Sequence, residues 1–357
     1  MPGSSGAKGS MIRSPGIVSL NVVCRDAPGI ISAIIVNDVS PSLIALRHVV
    51  VTDCAGYPAP GSIEQAELGA NYQVVVADAT TEEEVVALAG SAEGLFVNMA
   101  PITKNVLRSL PKLRALVRYG VGMDNIDSDE AAVLGIATLN VPDYAVEEVA
   151  QHAASMVIAR ARRLAEYDAA VKGGAWGPTI VTAPVPPHED AVGIAGFGNI
   201  GRRTGQVLSS VGFPVIAWDP YVAAESFAGV QRVPSLEELA SRVRHLSLHL
   251  PATEATIGMV DRELLGELGP EGHLINTGRG PVVDEDALLA ALNTGAIAWA
   301  SLDVWATEPP IGLTAELVAH PRVTASPHVA YLSTQSQGRL RRLAALRLKA
   351  ALEADRQ

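Results

Sequence analysis

Three ionisable residues late in the chain have the side-chain types needed to reduce a carbonyl group beside a carboxylate. Arg279 follows the apolar segment GHLINT, Glu308 follows AIAWASLDV, and His328 follows RVTASP. An arginine binds a carboxylate through two parallel hydrogen bonds and stays charged. A histidine can protonate the carbonyl oxygen near neutral pH, and a neighbouring carboxylate orients the ring and favours its charged form. Each residue taken singly also fits a structural role. Their order and placement favour the reduction of a 2-keto acid or the reverse oxidation, and a structural role for the set stays open at this point.

A glycine motif indicates the cofactor. The strand-like segment AVGIAG runs into Gly196, Gly198 and Gly201, which form G-x-G-x-x-G ahead of a predicted helix. In this context the glycines allow a tight turn, close approach of a pyrophosphate and close helix–strand packing, and the helix N-terminus attracts phosphate. Asp219 ends the next predicted strand, near the ~20-residue spacing expected for the acid that binds ribose hydroxyls. Because a carboxylate repels a 2′-phosphate, the pattern predicts NAD rather than NADP.

The elements that must position these residues alternate between apolar strands and helices from residue 48 onward. Such alternation predicts parallel βαβ units and therefore two doubly wound parallel-sheet α/β domains. Residues 144–170 predict one long helix between the two series, and the stretch from residue 333 predicts a helix that folds back on the first series. The expected divisions are 1–47, an N-terminal extension, partly disordered and of unknown role; 48–145 plus 324–357, a substrate domain; and 146–323, an NAD-binding domain.

Composition narrows the possible partners. The chain has 357 residues and a formal net charge of −11. An acidic surface repels nucleic acid and anionic lipid, so we expect neither as a partner. No apolar run reaches the roughly 18 residues of a membrane span. Cys24 and Cys54 are too few for a disulfide framework or a metal cluster, so we expect a cytoplasmic protein without a bound metal.

The motifs together resemble the D-isomer-specific 2-hydroxyacid dehydrogenase family. The matching segments are GIAGFGNIGR, WDP, LHLPATEAT, INTGRGPVVDEDAL, LDVWATEPP and SPHVAYLS, preceded by NMAPITKNVL, VRYGVGMDNIDSDEAA and NVPDYAVEEVAQHA. The segments RYGVGMDNID, NVPDYAVEEVAQH and HVAYLS are most similar to the branch that contains the C-terminal-binding proteins. The resemblance implies two Rossmann-like domains with the active site in the cleft between them, and a homodimer built on the nucleotide domain.

The resemblance also implies roles for single residues. It places the family's catalytic arginine, glutamate and histidine on Arg279, Glu308 and His328. The implied cofactor contacts are Gly196, Gly198, Asn199, Ile200, Gly201, Asp219, Leu250, Pro251, Thr277, Gly278, Arg279, Asp303 and His328. The implied substrate contacts are Val121 and Gly122, whose backbone N–H groups receive the substrate carboxylate, together with Asn98 and Tyr331. A core role fits Tyr331 equally well.

Three functions fit this pattern. The first is an NAD-dependent dehydrogenase for a small unphosphorylated acid such as glyoxylate or hydroxypyruvate. The second is an NAD(H)-sensing scaffold with little turnover, similar to the co-repressors of the nearest branch. The third is a phosphoglycerate dehydrogenase. Phosphoglycerate-using members of the family tend to carry arginines in the loop after the third strand, whereas the loop 97–101 here has no basic residue, which disfavours a phosphorylated substrate.

Overall fold

The computed structural model describes residues 46–53, 59–227 and 229–354. Almost all of the predicted N-terminal extension, and both cysteines, lie outside the described residues. The chain divides into two compact units. The first comprises the described residues up to Tyr119, then Asn125–Asn140 and the chain from Arg341; the second comprises Gly120–Asp124 and Val141–Leu340. The domain boundaries expected from the sequence stay a prediction.

The first unit is built on a parallel sheet. Its strands are β1 (Arg47–Val51), β2 (Tyr72–Val76), β3 (Gly94–Val97), β4 (Ala115–Arg118) and β5 (Ala137–Leu139). They lie in the order β2-β1-β3-β4-β5. The helices between them are α1 (Ser62–Leu68), α2 (Glu82–Ala89), α3 (Lys104–Ser109) and α4 (Ser128–Val133). Helix α2 begins at a capping box in which Thr81 and Glu84 satisfy each other's backbone N–H groups.

The second unit contains a larger parallel sheet. Its strands are β6 (Val192–Ala195), β7 (Val215–Trp218), β8 (Gln231–Arg232), β9 (His245–Leu248), β10 (His273–Asn276), β11 (Trp299–Leu302) and β12 (Val323–Ala325). The spatial order is β12-β11-β10-β9-β6-β7-β8, so the direction of winding reverses between β6 and β9. In doubly wound sheets the carboxyl ends of the strands at such a reversal bind ligands. The prediction of two parallel-sheet α/β domains is confirmed.

Helices of the second unit are α5 (Val146–Ala161), α6 (Leu164–Lys172), α7 (Asn199–Ser210), α8 (Leu236–Ser241), α9 (Arg262–Leu268), α10 (Glu285–Thr294) and α11 (Leu313–Ala319), and α12 (Ser336–Ala354) begins in it. Strands β6, β9, β10 and β11 are buried at every position. This is expected where helices cover both faces of a parallel sheet. Over the described ranges, no helix is both long enough and apolar enough to cross a bilayer.

The single helix predicted over residues 144–170 is wrong. Helix α5 ends at Ala161, and Arg163 adopts a left-handed backbone (φ 52°) before α6 begins. Arg160 and Arg163 both donate to the Glu166 carboxylate, at 2.7 and 3.1 Å, which holds the bend. The sequence carries no stop signal here, because neither glycine nor proline stands at the break and the apolar periodicity continues through it.

The carboxyl-terminal part of α12 packs within the first unit. Arg341 is buried and donates from Nε and Nη2 to the buried carboxylate of Glu64, both at 2.7 Å. A Cβ atom added to Gly94 would lie 3.0 Å from Leu352 and 3.2 Å from Leu348, so the helix lies directly against β3. The glycine at the start of that strand is therefore required for this close approach.

A chain of buried polar groups crosses the amino-terminal ends of the central strands in the second unit. His245 and His273 are register partners on β9 and β10, and their Nδ1 atoms lie 3.0 Å apart. His245 Nε2 lies 3.1 Å from Asp190, and His273 Nε2 lies 2.9 Å from the Ser301 hydroxyl. One arrangement of protons satisfies every link: Ser301 donates to His273, His273 to His245, and His245 to the Asp190 carboxylate. Both rings are then neutral.

These buried polar groups predict that the free energy of unfolding decreases in acid. Burial, assisted by the charge of Arg160, holds the pKa of His273 well below its ordinary value. The unfolded chain protonates this histidine below its ordinary pKa of about 6.5, whereas the folded chain does not. Stability is therefore full above that pH and falls below it, by up to ~1.4 kcal/mol per pH unit for this group. We expect His273→Gln to flatten the slope of unfolding free energy between pH 7.5 and 5.5, measured by urea denaturation.

The control is His188→Gln, because His188 is mostly exposed and lies in the same unit. That variant should keep the wild-type slope. An unchanged slope in His273→Gln would contradict the assignment of a neutral buried ring.

Candidate active site

The three residues that the sequence singled out follow adjacent strands. Arg279 lies beyond β10, Glu308 beyond β11 and His328 beyond β12. These strands are consecutive neighbours in the sheet, and their last residues pair in register, Asn276 with Leu302 and Leu302 with Ala325. The loops that carry the three side chains therefore leave the same edge of the sheet.

His328 and Glu308 form a direct pair. His328 Nδ1 lies 2.7 Å from Glu308 Oε2, and the other carboxylate oxygen accepts the backbone N–H of Trp305 at 3.0 Å. The two side chains are 40% and 32% exposed, so the pair is open to a reactant. Because the ring is held through Nδ1, its Nε2 is available to exchange a proton with a substrate.

Arg279 influences the same carboxylate. Partial burial by itself raises the pKa of Glu308, but the hydrogen bond and charge of His328, the N–H of Trp305 and the charge of Arg279 together hold that pKa below its ordinary value. Glu308 therefore remains an anion beside the imidazole across the neutral range. The guanidinium and the imidazole thus both act on this carboxylate, and the catalytic roles expected of the three residues stay predictions.

A buried carboxylate sets the backbone that presents His328. His328 adopts a left-handed conformation (φ 55°), which is uncommon for a residue with a side chain. Its backbone N–H donates to the carbonyl oxygen of Asp303 at 2.7 Å, and the N–H groups of Val329 and Ala330 donate to the Asp303 carboxylate, both at 2.9 Å. The Ser326 hydroxyl donates to the same carboxylate. Asp303 thus holds the whole loop; its predicted contact with the cofactor stays a prediction.

Arg279 is held on two sides. Its Nε donates to Asp124 at 3.0 Å, and its Nη1 donates to the carbonyl oxygen of Gly278 at 2.8 Å. A Cβ atom on Gly122 would lie 1.9 Å from Nη2 of Arg279, so the guanidinium lies against the backbone of the loop formed by Val121 and Gly122. Sequence reasoning did not single out Asp124, although it stands two residues after Gly122 in the segment VRYGVGMDNID.

The aromatic residue Tyr331 lies beside the reactive pair. Its ring is edge-on to the ring of His328, with centroids 6.3 Å apart, and its other neighbour is Tyr144 at 6.2 Å. Tyr331 is neither fully buried nor fully exposed. This position next to the imidazole agrees with the substrate contact that the sequence predicted, which stays a prediction.

Asn98 belongs to the first unit, where two residues not singled out from the sequence hold its loop. The Asp53 carboxylate accepts the backbone N–H groups of Asn98, Met99 and Ala100. Asn125 Nδ2 donates to the carbonyl oxygens of Asn98 at 3.3 Å and Ala100 at 2.8 Å. The loop is therefore well organised within its unit, and the role of Asn98 toward substrate stays a prediction.

The glycine motif has the local geometry that a dinucleotide requires. Gly196 has a positive φ of 88°, which glycine adopts without strain. A Cβ atom on Gly201 would lie 2.0 Å from the Gly196 carbonyl oxygen, so only glycine allows α7 to begin so close to β6. By contrast, a Cβ atom on Gly198 would meet no atom within 4 Å. The backbone at Gly198, followed by Asn199 and Ile200 in the first turn of α7, thus faces open space.

Asp219 connects the end of β7 to this motif. One carboxylate oxygen accepts the N–H of Phe197 at 2.8 Å, and the other accepts those of Tyr221 and Val222 at 2.9 and 3.0 Å. Arg232 from β8 donates to the Asp219 carbonyl oxygen at 3.0 Å, a cation that sequence reasoning missed. Asp219 therefore lies beside the glycine turn, as a ribose-binding acid should, and also braces that turn.

The loops after β9 and β10 carry further residues that the sequence predicts to contact the cofactor, and these contacts stay predictions. A Cβ atom on Gly278 would lie 2.9 Å from the Leu250 carbonyl oxygen, so the Thr277–Gly278 segment lies against Leu250 and next to the exposed Pro251. The buried hydroxyl of Thr277 has no hydrogen-bond partner among the residues that the structure describes. A buried hydroxyl without a partner is costly and fits a group that a polar ligand satisfies. The glycine turn, the acid and this hydroxyl therefore fit a dinucleotide.

Known proteins are similar to this chain over most of its length. Residues 154–330 match the family model for the D-isomer specific 2-hydroxyacid dehydrogenase NAD binding domain. A glyoxylate/hydroxypyruvate reductase B of Yersinia enterocolitica is 37% identical over 277 residues, which cover 76% of this chain and 84% of that protein. The chain belongs to the D-isomer-specific 2-hydroxyacid dehydrogenase family. The predictions of the family and of an NAD-binding domain are confirmed, while the branch of the C-terminal-binding proteins stays a prediction.

Solved structures show the same fold. A D-lactate dehydrogenase from Aquifex aeolicus, complexed with NAD and lactic acid, superposes with a TM-score of 0.76 at 27% identity, covering 86% of this chain and 96% of that one. An NADPH-dependent glyoxylate/hydroxypyruvate reductase from Sinorhizobium meliloti, complexed with NADP and malonate, gives 0.73 at 28% identity, covering 86% and 93%.

Other curated relatives are longer than this chain. A D-3-phosphoglycerate dehydrogenase of Mycobacterium leprae is 33% identical over 277 residues, which are 77% of this chain but 52% of that protein. The chain thus spans about half the length of the phosphoglycerate dehydrogenases that it matches.

Over residues 46–53, 59–227 and 229–354, no group of three or more His, Cys, Asp or Glu side chains is placed to hold a metal ion.

The hydrogen bonds of Asp303 predict a large loss of stability on neutralisation. Asp303→Asn keeps the size of the side chain but replaces an acceptor oxygen with an N–H donor that faces backbone N–H groups. We expect the free energy of unfolding to fall by about 2 kcal/mol, measured by urea denaturation. Asp168→Asn is the control, since Asp168 makes an exposed pair with Lys172 and should change stability by less than about 0.5 kcal/mol. Equal stability of the two variants would contradict this role for Asp303.

Proposed function

We propose that this chain transfers a hydride between NAD(H) and C2 of a small, unphosphorylated D-2-hydroxy acid or its 2-keto partner. The observation that carries the proposal is the 2.7 Å pair of His328 with Glu308, together with the charge of Arg279 acting on the same carboxylate. A cation for a carboxylate and a proton donor backed by an anion are the groups that this reaction requires.

Each residue of the cluster has a distinct task. Arg279 binds the substrate carboxylate and stabilises the charge that grows on the carbonyl oxygen during reduction. His328 donates its Nε2 proton to that oxygen, so the product is a neutral hydroxyl group. Glu308, which holds His328 Nδ1, stabilises the imidazolium before the transfer. The nicotinamide cofactor, when bound, would supply the hydride for reduction of the keto acid and would accept it in oxidation of the hydroxy acid, for which neutral His328 would act as the base.

The surroundings of the cluster supply the remaining substrate contacts. We assign the backbone N–H groups of Val121 and Gly122 to the substrate carboxylate, because this loop lies against the Arg279 guanidinium. Tyr331, whose ring lies edge-on to His328, forms a wall beside the reacting carbon. For Asn98, a residue of the first unit, we keep the substrate contact that the family resemblance implies as a proposal.

NAD is the proposed cofactor. Gly196, Gly198 and Gly201 would hold the pyrophosphate at the start of α7, and the Asp219 carboxylate would accept hydrogen bonds from the ribose hydroxyls. The Asp219 carboxylate opposes a 2′-phosphate, although Arg232 hydrogen-bonds to the carbonyl oxygen of the same residue and reduces that repulsion. The preference for NADH over NADPH is therefore expected to be moderate.

Phosphoglycerate oxidation is the second candidate, favoured by the 33–34% identity to mycobacterial D-3-phosphoglycerate dehydrogenases. The loop 97–101 contains no basic residue for a phosphate, which supports an unphosphorylated substrate instead. A sensing scaffold differs from both, because it binds NADH tightly but turns over no acid at an ordinary enzymatic rate.

Turnover followed by the absorbance of NADH, together with a measurement of NADH binding, distinguishes these functions. Purified protein is mixed with NADH or NADPH and with glyoxylate, hydroxypyruvate or pyruvate, and separately with NAD and D-3-phosphoglycerate. We expect turnover of at least one unphosphorylated 2-keto acid with NADH. Turnover of phosphoglycerate alone would establish the second candidate, and tight NADH binding without any turnover would establish the scaffold.

The role of His328 is tested in the same assay. His328→Gln should lower kcat by about 10²–10⁴, because the proton donor is lost. The exposed His188 again provides the control, and His188→Gln should retain full activity. A normal kcat in His328→Gln would contradict its role as proton donor.

We further propose a homodimer built on the second unit. Helix α6 has no buried residue, and apolar side chains are exposed on and after it, including Leu164, Val171 and the 87% exposed Trp176. Exposed apolar surface of this kind is typical of an interface. Sedimentation equilibrium should give twice the chain mass, and Trp176→Asp should shift the protein toward monomer; a monomeric wild type would contradict the proposal.

The two cysteines in 357 residues favour a reducing compartment, for which we propose the cytoplasm.

A further inference from the structure

The Arg279 guanidinium is oriented by an acidic residue from a distant segment of the second unit. Asp124 Oδ2 accepts a hydrogen bond from Nε at 3.0 Å, and the Gly278 carbonyl oxygen accepts one from Nη1 at 2.8 Å. The side chain of Arg279 is 23% exposed and that of Asp124 47% exposed. Two edges of the planar cation are thus engaged by the protein itself, and the remaining nitrogen, Nη2, makes no hydrogen bond to the part of the chain that the structure describes.

The position of Nη2 follows from the neighbouring glycine. A Cβ atom on Gly122 would lie 1.9 Å from Nη2 and 2.6 Å from Asp124 Oδ2. The guanidinium and the carboxylate therefore both lie against the backbone of Gly122, which belongs to the loop that we assign to the substrate carboxylate. With Nε held by Asp124, Nη2 is the nitrogen that stays next to that loop.

An ion pair this exposed contributes little to folding, because water screens the charges and ordering two long side chains costs entropy. Its effect on geometry is larger. A free arginine samples many rotamers, and a catalytic group that must find its position in each cycle loses rate. The expected consequence of the pair is therefore kinetic rather than thermodynamic.

We propose that Asp124 is a positioning residue for the reaction. It holds Arg279 through Nε so that Nη2 points at the substrate carboxylate beside Gly122, and it does not itself contact the reacting atoms. This inference rests on the proposed function, because it assigns a purpose to the orientation of Arg279. Asp124→Ala removes the anchor entirely, whereas Asp124→Asn keeps an acceptor oxygen and loses the charge.

The test compares both variants with wild type on the 2-keto acid that the wild type reduces fastest. We expect Asp124→Ala to raise KM and lower kcat, so that kcat/KM falls by about 10- to 100-fold. Asp124→Asn should recover part of that loss. The Kd for NADH and the melting temperature should stay within about twofold and about 2 °C of wild type. Asp129→Asn, which removes another exposed acid from the same sequence region, is the matched control and should match wild type.

A chemical measurement separates this inference from the proposed function. Phenylglyoxal modifies accessible guanidinium groups, and peptide mass spectrometry follows its reaction with Arg279 in protein without substrate. We expect modification of Arg279 to be at least about threefold faster in Asp124→Ala, because the ion pair no longer holds the side chain. An equal rate would show that Asp124 does not hold Arg279 and would overturn the inference.

The kinetics distinguish a failure of the positioning role from a failure of the proposed function. Wild-type turnover with unchanged kinetics in Asp124→Ala would overturn the positioning role alone. A lower KM in Asp124→Ala would also overturn it, because Asp124 would then compete with the substrate for Arg279. A wild type that reduces no 2-keto acid would overturn the proposed function, and with it the positioning role, whatever the modification rates.

Discussion

The reactive geometry of this protein depends on one buried carboxylate. Asp303 is fully buried, and its oxygens bind two backbone N–H groups and a hydroxyl of the loop after β12, while its carbonyl oxygen binds the N–H of His328. These bonds impose a left-handed backbone that His328 would otherwise rarely adopt. The bond from His328 to Glu308 depends on that conformation, and the proton transfer that we propose depends on the bond.

Histidines serve opposite purposes at the two ends of the large sheet. At the amino-terminal ends, His273 is buried beside His245 and its pKa lies well below the ordinary value, so it stays neutral and acts as a structural link. At the carboxyl-terminal ends, His328 is 40% exposed and hydrogen-bonded through Nδ1 to the Glu308 carboxylate, so its Nε2 is open to a reactant. Burial and the nearest partner, rather than residue type, separate the structural histidines from the one that we propose as catalytic.

The acidic character of the chain makes the local arrangement of charge important. With a formal net charge of −11, the surface as a whole repels an anionic substrate. The Arg279 cation offsets this repulsion locally. Of its two acidic neighbours, Glu308 is hydrogen-bonded to His328, and Asp124 engages the Nε edge of Arg279. Among the described residues, Nη2 of Arg279 has no hydrogen-bond partner, and we propose that it binds the substrate carboxylate.

The sequence by itself determined the alternation of strands and helices, the glycine turn and the three ionisable residues beyond consecutive strands, because apolar periodicity and glycine placement are local signals. Only the tertiary structure decided which residues hold them. Asp124 and Arg279 are 155 positions apart, and Asp53 and Met99 are 46 apart, so neither contact leaves a local pattern. The break between α5 and α6 at Arg163 was likewise invisible, because the interruption depends on side chains gathering around Glu166 and not on a helix-breaking residue. Such contacts exist only where the fold brings distant parts of the chain together.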